Sequence, residues 1–128
     1  MRALLDTHAF LWWISDSSRL SKRAYEFIEK PSNTIYLSSV SCWEISIKST
    51  LGSIQFPKKM ESFIAEQISI NSFEPLSINI SHAVNIRDLP QHHKDPFDRM
   101  LISQSQIEDM PLITGDKLIS KYKIELIW

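Results

Sequence analysis

Four acids stand where carboxylates could gather round a cation: Asp6, Glu44, Asp98 and Asp116. Asp6 closes the apolar run Ala3-Leu4-Leu5, and Asp116 closes Met110-Pro111-Leu112-Ile113-Thr114-Gly115. Asp98 belongs to the stretch His92-His93-Lys94-Asp95-Pro96-Phe97-Asp98-Arg99. Hard divalent ions prefer carboxylate oxygen and keep several waters. Carboxylates that share one cleft repel one another unless a cation or protons intervene. Each acid also has an ordinary explanation. Asp6 could cap a helix, and Asp95 and Asp98 could serve a helix start. Ser41-Cys42-Trp43-Glu44 fits a capping box, and Asp116 sits in a Gly-Asp turn. Helix capping predicts some of this clustering by itself, but not four acids beside strongly apolar elements with few bases nearby in sequence.

The elements that would position these acids alternate between strand and helix. Met1 to Leu5 reads as a buried strand that stops at Asp6, and Thr7 to Ile14 as the helix that follows. A helix over Ser21–Glu29 is expected, with Ser21 as its cap, then a strand over Thr34–Leu37. A third helix runs from Ser38 to Leu51 and stops at Gly52, with Val40, Trp43, Ile47 and Leu51 as its apolar stripe. Glu44 and Lys48 pair on an adjacent stripe. Pro57 opens a fourth helix to about Ile70. Phe73–Leu76 is a weaker strand, and Ser81–Leu89 a helix ended by Pro90. Asp95 then caps a helix with Pro96 at its first position. A strand over Met110–Thr114, a short helix over Lys117–Tyr122 and a strand over Ile124–Ile127 complete the chain.

This alternation predicts an α/β protein, a three-layer α/β/α sandwich with a mostly parallel central sheet. In such sheets function gathers beyond the carboxyl ends of the strands. Connectivity alone brings Asp6, Glu44 and Asp116 to that edge. Asp98 joins them only if its helix also starts there, which the long approach from Pro90 to Lys94 permits.

The 128 residues are enough for one domain, 1–128, with its own core. A hydrophobic fraction of 43% is globular, and 2 glycines argue against an all-β fold. Cys42 is the only cysteine, so no intrachain disulfide and no cysteine zinc site can form. The apolar start is too short and too polar for a signal peptide or a membrane span, which favours a cytoplasmic protein. A net charge of −1 excludes bulk electrostatic binding of long nucleic acid and leaves room for a local patch. His8, His82, His92 and His93 match no zinc spacing. Trp12 and Trp13 cannot both face the core from a single stripe; one is either an exposed interface residue or sits at the core edge.

Taken together and in order, Leu4-Leu5-Asp6-Thr7-His8, Trp43-Glu44-Ile45, Asp95-Pro96-Phe97-Asp98-Arg99-Met100-Leu101-Ile102 and Thr114-Gly115-Asp116 resemble the PIN domain. The resemblance is strongest to the VapC-type toxins of bacterial toxin–antitoxin pairs and covers essentially the whole chain. Ser103 and Ser105 stand where alanine is usual. The resemblance implies a Rossmann-like fold, Mg²⁺ or Mn²⁺, cleavage of RNA, a homodimer and a cognate antitoxin protein. It places the metal-binding acids at Asp6, Glu44, Asp98 and Asp116, with Asp95 a further acid near the site. Thr7 and Thr114 fall on hydroxyl positions that support the acids or a metal-bound water, and Arg99 is a supporting residue of the same run.

In that chemistry Asp6 and Asp98 are the most direct ligands. Asp116 binds directly or through water, and Glu44 holds or deprotonates the attacking water. A second ion, at ~4 Å from the first, would stabilise the leaving oxygen; one ion or two remains open. A PIN-like nuclease of RNA processing without a toxin role is the alternative. A phospho-acceptor signalling domain also gathers acids at this edge, but gives no reason for Glu44 or for the Asp95-to-Asp98 run. A phosphatase with an aspartyl nucleophile would want an acid where His8 stands.

Overall fold

Short apolar runs rich in leucine and isoleucine form a five-stranded sheet whose neighbours all pair in parallel, in the order β3-β2-β1-β4-β5. The computed structural model describes residues 1–56 and 59–128. The strands are β1 (Arg2–Leu5), β2 (Thr34–Ser38), β3 (Glu74–Leu76), β4 (Leu112–Ile113) and β5 (Leu126–Ile127). The helices are α1 (Thr7–Ile14), α2 (Lys22–Glu29), α3 (Ser39–Thr50), α4 (Met60–Asn71), α5 (Ile80–Asn85) and α6 (Pro96–Glu108). Side chains alternate across the strands as a pleated sheet requires. Ala3, Leu5, Ile35, Leu37, Ile113 and Ile127 join one core with Phe10 of α1, Ala24 and Ile28 of α2 and Ile64 of α4. Leu4 and Leu112 join the other with Leu101 and Ile102 of α6. Helices on both faces make the three-layer α/β sandwich expected from the sequence.

From β1 the chain builds outward one way to β2 and β3, and later the other way to β4 and β5. The switch lies between β1 and β4, where Leu4 pairs with Leu112 and Leu5 with Ile113. Asp6 and Thr114–Asp116 leave these two central strands side by side, at the position where such sheets open a crevice.

Several expectations need correction. The apolar stripe read on α3 is not its buried face. Val40 is buried, but Trp43 is 55% exposed, Ile47 38% and Leu51 75%. The helix buries Val40, Ser41, Glu44 and Ile45 instead. Both faces satisfy three-and-four spacing, and packing against the sheet and α1 chose the one that carries an acid. The Ser41–Glu44 capping box is also absent. Ser38 caps α3 through Val40 N–H, and Ser41 lies inside the helix, where its hydroxyl accepts from Thr7 Oγ1 at 3.0 Å. The helix expected over Ser81–Leu89 starts at Ile80 and tightens into a 3-10 turn at Ile86–Asp88. Pro90 accounts for this, because the residue before a proline is pushed out of helical geometry, and Leu89 has ψ 133°. The short helix expected at Lys117–Tyr122 is only a 3-10 turn, Ile119–Lys121. The helix expected to open at Pro57 is seen from Met60; Pro57 itself lies outside the described residues.

Trp12 and Trp13 are both half-buried. Trp13 packs on Tyr25 and donates to Asn71 Oδ1 at 2.9 Å, while Trp12 lies between His8 and Trp128. Among the described residues no helix is long and apolar enough to cross a membrane.

Candidate active site

Asp6 and Asp116 follow strands β1 and β4, Glu44 lies in the second turn of α3, and Asp98 lies in the first turn of α6. Asp6 ends β1 and caps α1, with Oδ1 accepting from Ala9 N–H at 2.6 Å. Burial raises its carboxyl above the ordinary range, and the Asp116 charge adds to this. Hydrogen bonds from Thr114 and from Ala9 N–H, and nearby His8, act in the opposite direction. Asp116 leaves β4 through Thr114-Gly115. Its N–H donates to Thr114 Oγ1 at 3.1 Å, and its Oδ1 accepts from Leu118 N–H at 2.9 Å. Thr114 thus ties Asp6 to the Asp116 turn. Gly115 is required there, since a Cβ would lie 2.5 Å from the Trp128 indole. Thr7 Oγ1 donates to Ser41 Oγ at 3.0 Å and braces α1 against the buried face of α3 that also carries Glu44.

Glu44 sits on the buried face of α3, only 4% exposed. Its Oε2 accepts from Lys48 Nζ at 2.8 Å, and its Oε1 is buried without a hydrogen bond. A buried carboxylate oxygen left unpaired is costly.

Asp98 lies in the first turn of α6. Asp95 performs the capping, with Oδ1 accepting from Phe97 N–H at 2.8 Å and Asp98 N–H at 3.0 Å. The Asp98 carboxylate is therefore not consumed by the helix start. Burial raises its pKa to about 7; the Asp95, Asp6 and Glu44 charges push the same way, and neighbouring His93 pulls it down. Asp98 and Asp116 both lie within 3.0 Å of the same His93 nitrogen, so the start of α6 does face the sheet edge where β4 ends.

The structure adds a residue that the sequence reading passed over. His93 Nε2 lies 2.9 Å from Asp98 Oδ2 and 3.0 Å from Asp116 Oδ2. These three side chains offer ligand atoms within 4.8 Å of one another. A search for zinc spacings could not find it. The only signal available was its place two residues before the helix cap.

Arg99 does not face the acids. It is 8% exposed and donates to the carbonyls of Ile86, Leu89, Pro90 and His93 and to Tyr122 Oη. Tyr122 Oη in turn accepts from His93 N–H at 2.9 Å and donates to Pro90 O at 2.9 Å. Arg99 and Tyr122 thereby pin the approach loop that carries His93. Of the other histidines, only His8 borders the cleft. His82 is buried in a capping box with Asn79 and contacts Glu108, His92 stands edge-on to Tyr122, and exposed His8 lines the cleft.

An open cleft of about 430 Å³ reaches Asp6 and Asp116, lined also by His8, Trp12, Arg19, Gly115 and Trp128. The donor set fits a hard divalent ion. It is rich in carboxylate oxygen, and Glu44 Oε1 is an unpaired buried acceptor that a cation or its bound water would satisfy.

The sequence matches the PIN domain family over residues 3–125. No curated protein sequence gives a significant match. Among solved structures, the fold is similar to VapBC2 from Rickettsia felis bound to a DNA fragment from its promoter, at 17% identity. That likeness covers 98% of this chain and 97% of that one, with a TM-score of 0.73. FitAcB from Neisseria gonorrhoeae is 14% identical over 97% of this chain and 95% of that one, with a TM-score of 0.64. A toxin–antitoxin complex from Klebsiella pneumoniae is 22% identical over 89% and 86%, with a TM-score of 0.57. These identities speak to the fold alone. With the family matched from β1 to the edge of β5 and the acids set at the carboxyl ends of the central strands, this chain belongs to the PIN domain family.

Proposed function

We propose that this chain is a Mg²⁺- or Mn²⁺-dependent ribonuclease and the toxin of a toxin–antitoxin pair. The observation that carries this reading is geometric: Asp98 Oδ2 and Asp116 Oδ2 lie 2.9 and 3.0 Å from the same His93 Nε2, and the buried Glu44 Oε1 has no hydrogen bond. Burial raises the Asp98 and Asp6 carboxyls, and neighbouring carboxylates add to the shift. Four carboxylates on separate elements serve no purpose of stability when brought together, whereas a cation would relieve them.

Asp6, Asp98 and Asp116 would hold the ion. When bound, it supplies positive charge against the phosphate and acidifies a water. Glu44 receives the proton of the attacking water at Oε1, while Lys48 fixes the other oxygen and so the direction of the carboxyl. Thr114 keeps Asp6 and the Asp116 turn in register.

The antitoxin covers the cleft and reaches the carboxylates with an Arg or Lys. It also buries the exposed stripe Trp43, Ile47 and Leu51. That stripe shares α3 with Glu44, and Trp43 stacks edge-on at 4.9 Å against Phe97, the residue before Asp98. The Trp12–Trp13 pair is half-buried, and Trp12 lines the cleft that the antitoxin covers. A homodimer is part of the same proposal.

The test is RNA cleavage by purified wild type and Asp98→Asn, with Mg²⁺ or Mn²⁺ and with chelator, beside growth of cells expressing each. Metal-dependent cleavage and growth arrest by wild type alone are expected, with cleavage by the variant reduced at least about 100-fold. Cleavage that survives chelator or Asp98→Asn would refute the metal mechanism. Cleavage without growth arrest, in the native host lacking its partner, would move the chain to RNA processing.

A further inference from the structure

We propose that His93 is a positioning residue, which donates its Nε2–H to Asp98 and Asp116 and is not itself a metal ligand. The inference rests on the metal-site reading above, in which these two acids bind the ion. Distance alone does not decide the matter. An Nε2–Oδ2 spacing of 2.9 or 3.0 Å suits a hydrogen bond. It also suits neighbouring ligands of an octahedral ion, which lie about 3 Å apart when each is about 2.1 Å from the metal. A nitrogen beside two carboxylates therefore looks like a third ligand.

The other side of the ring decides it. The backbone N–H of Asp95 points at His93 Nδ1, 3.2 Å away. A backbone N–H can only donate, so Nδ1 must present its lone pair. The ring hydrogen then lies on Nε2, facing Asp98 and Asp116. To bind a metal through Nε2 the ring would have to lose that hydrogen as well, or move it to Nδ1 against the Asp95 N–H. Neither fits this loop, because its backbone is held on both sides. His93 N–H donates to Tyr122 Oη at 2.9 Å, and Arg99 donates to His93 O at 3.2 Å. Asp95 also caps α6, so its amide cannot swing away without unseating the helix start.

The consequence is a division of labour within one short stretch. Asp95 sets the helix and the tautomer. His93 draws one oxygen from α6 and one from the β4 turn to a common point. Arg99 and Tyr122 hold His93 in place. Groups behind metal ligands commonly act in this way, by fixing the direction of the carboxylates.

Two measurements on the full chain test this. The first is ¹⁵N NMR of the histidine rings, with His93 assigned from its absence in His93→Gln, in chelator and with saturating Mg²⁺. A protonated Nε2 and a bare Nδ1 are expected in both states. A protonated Nδ1 with a bare Nε2 in either state overturns the proposal. The second is Mg²⁺ affinity by calorimetry. Gln can place an N–H near the Nε2 position, whereas Ala cannot. His93→Ala should bind Mg²⁺ about 10–100-fold more weakly and His93→Gln within about 3-fold of wild type. Equal affinities for His93→Ala and wild type, or equal losses in Ala and Gln, overturn it. Should wild type bind Mg²⁺ with the expected tautomer and cut no RNA, the ribonuclease reading falls while this one stands.

Discussion

Two helices, α6 and α3, carry the acids Asp98 and Glu44, and their surroundings are built in opposite ways. At α6 the polar groups around the acid form a connected network. Asp95 takes two backbone N–H groups, Arg99 reaches four carbonyls and a hydroxyl, and His93 joins the Asp98 and Asp116 oxygens. At α3 the acid is buried a full turn inside the helix with one oxygen unpaired, and the neighbouring face exposes Trp43 and Leu51. The first region is finished within the chain. The second is incomplete in both respects, with an oxygen that lacks a partner and an apolar stripe that lacks a cover. Ordinary and chemical roles are also not exclusive. Asp6 and Asp116 each give one oxygen to the backbone, which aims the rest of the carboxylate at the cleft.

If the α6 side is a closed network, breaking its centre should have the largest effect on stability. Arg99→Met leaves four carbonyls and Tyr122 Oη short of a charged donor. A loss of about 2–4 kcal/mol is expected in denaturant unfolding, together with weaker Mg²⁺ binding because His93 is freed. A loss below about 0.5 kcal/mol would mean that water replaces the guanidinium without cost.

The cap beside it should cost less. Asp95→Ala removes one side-chain acceptor from two N–H groups and should cost about 1 kcal/mol. Activity should persist at a reduced level, since Asp98 remains. Complete loss of metal binding in Asp95→Ala would make Asp95 a ligand and erase the distinction between the two acids of α6.

The α3 stripe should cost least of all. Trp43→Ser and Leu51→Ser change exposed side chains and should shift stability within about 0.5 kcal/mol while abolishing co-purification with the antitoxin. A large loss of stability would show that the stripe is packed in solution, and unimpaired antitoxin binding would place the partner elsewhere.

The sequence was informative where local chemistry sets the structure. Asp95-Pro96 marks the α6 cap, Ser21 marks that of α2, and the alternating apolar runs mark β1 and β2. It was misleading where tertiary packing selects between equivalent patterns. On α3 the stripes through Trp43 and through Glu44 have the same spacing, and ordinary hydrophobicity favours the wrong one. His93 was set aside with the other histidines for a related reason. Its role depends on the Asp95 amide, the Tyr122 hydroxyl and the Asp116 carboxylate, 23 residues apart from it in the last case. The last two strands were overread in length, since β4 and β5 keep only two residues each.

That Asp6, Glu44, Asp98 and Asp116 form a single cation site can be read from thermal unfolding of wild type and Asp98→Asn, in chelator and with saturating Mg²⁺ or Mn²⁺. In the metal-free fold the Asp98 carboxyl is raised to about 7 from an ordinary value near 3.8. The folded state therefore holds a proton that the unfolded chain releases in that window. Stability from this group is full below about pH 4 and is lost as pH rises to about 7. Metal-free wild type should thus lose several degrees of Tm between pH 5 and 8 that Asp98→Asn does not lose. At pH 8 the variant should be as stable as wild type or more so, and metal should raise the Tm of wild type far more than that of the variant. A variant that is less stable without metal, follows wild type in its pH dependence and gains as much from metal would contradict a shared site and leave Asp98 as a helix-start charge.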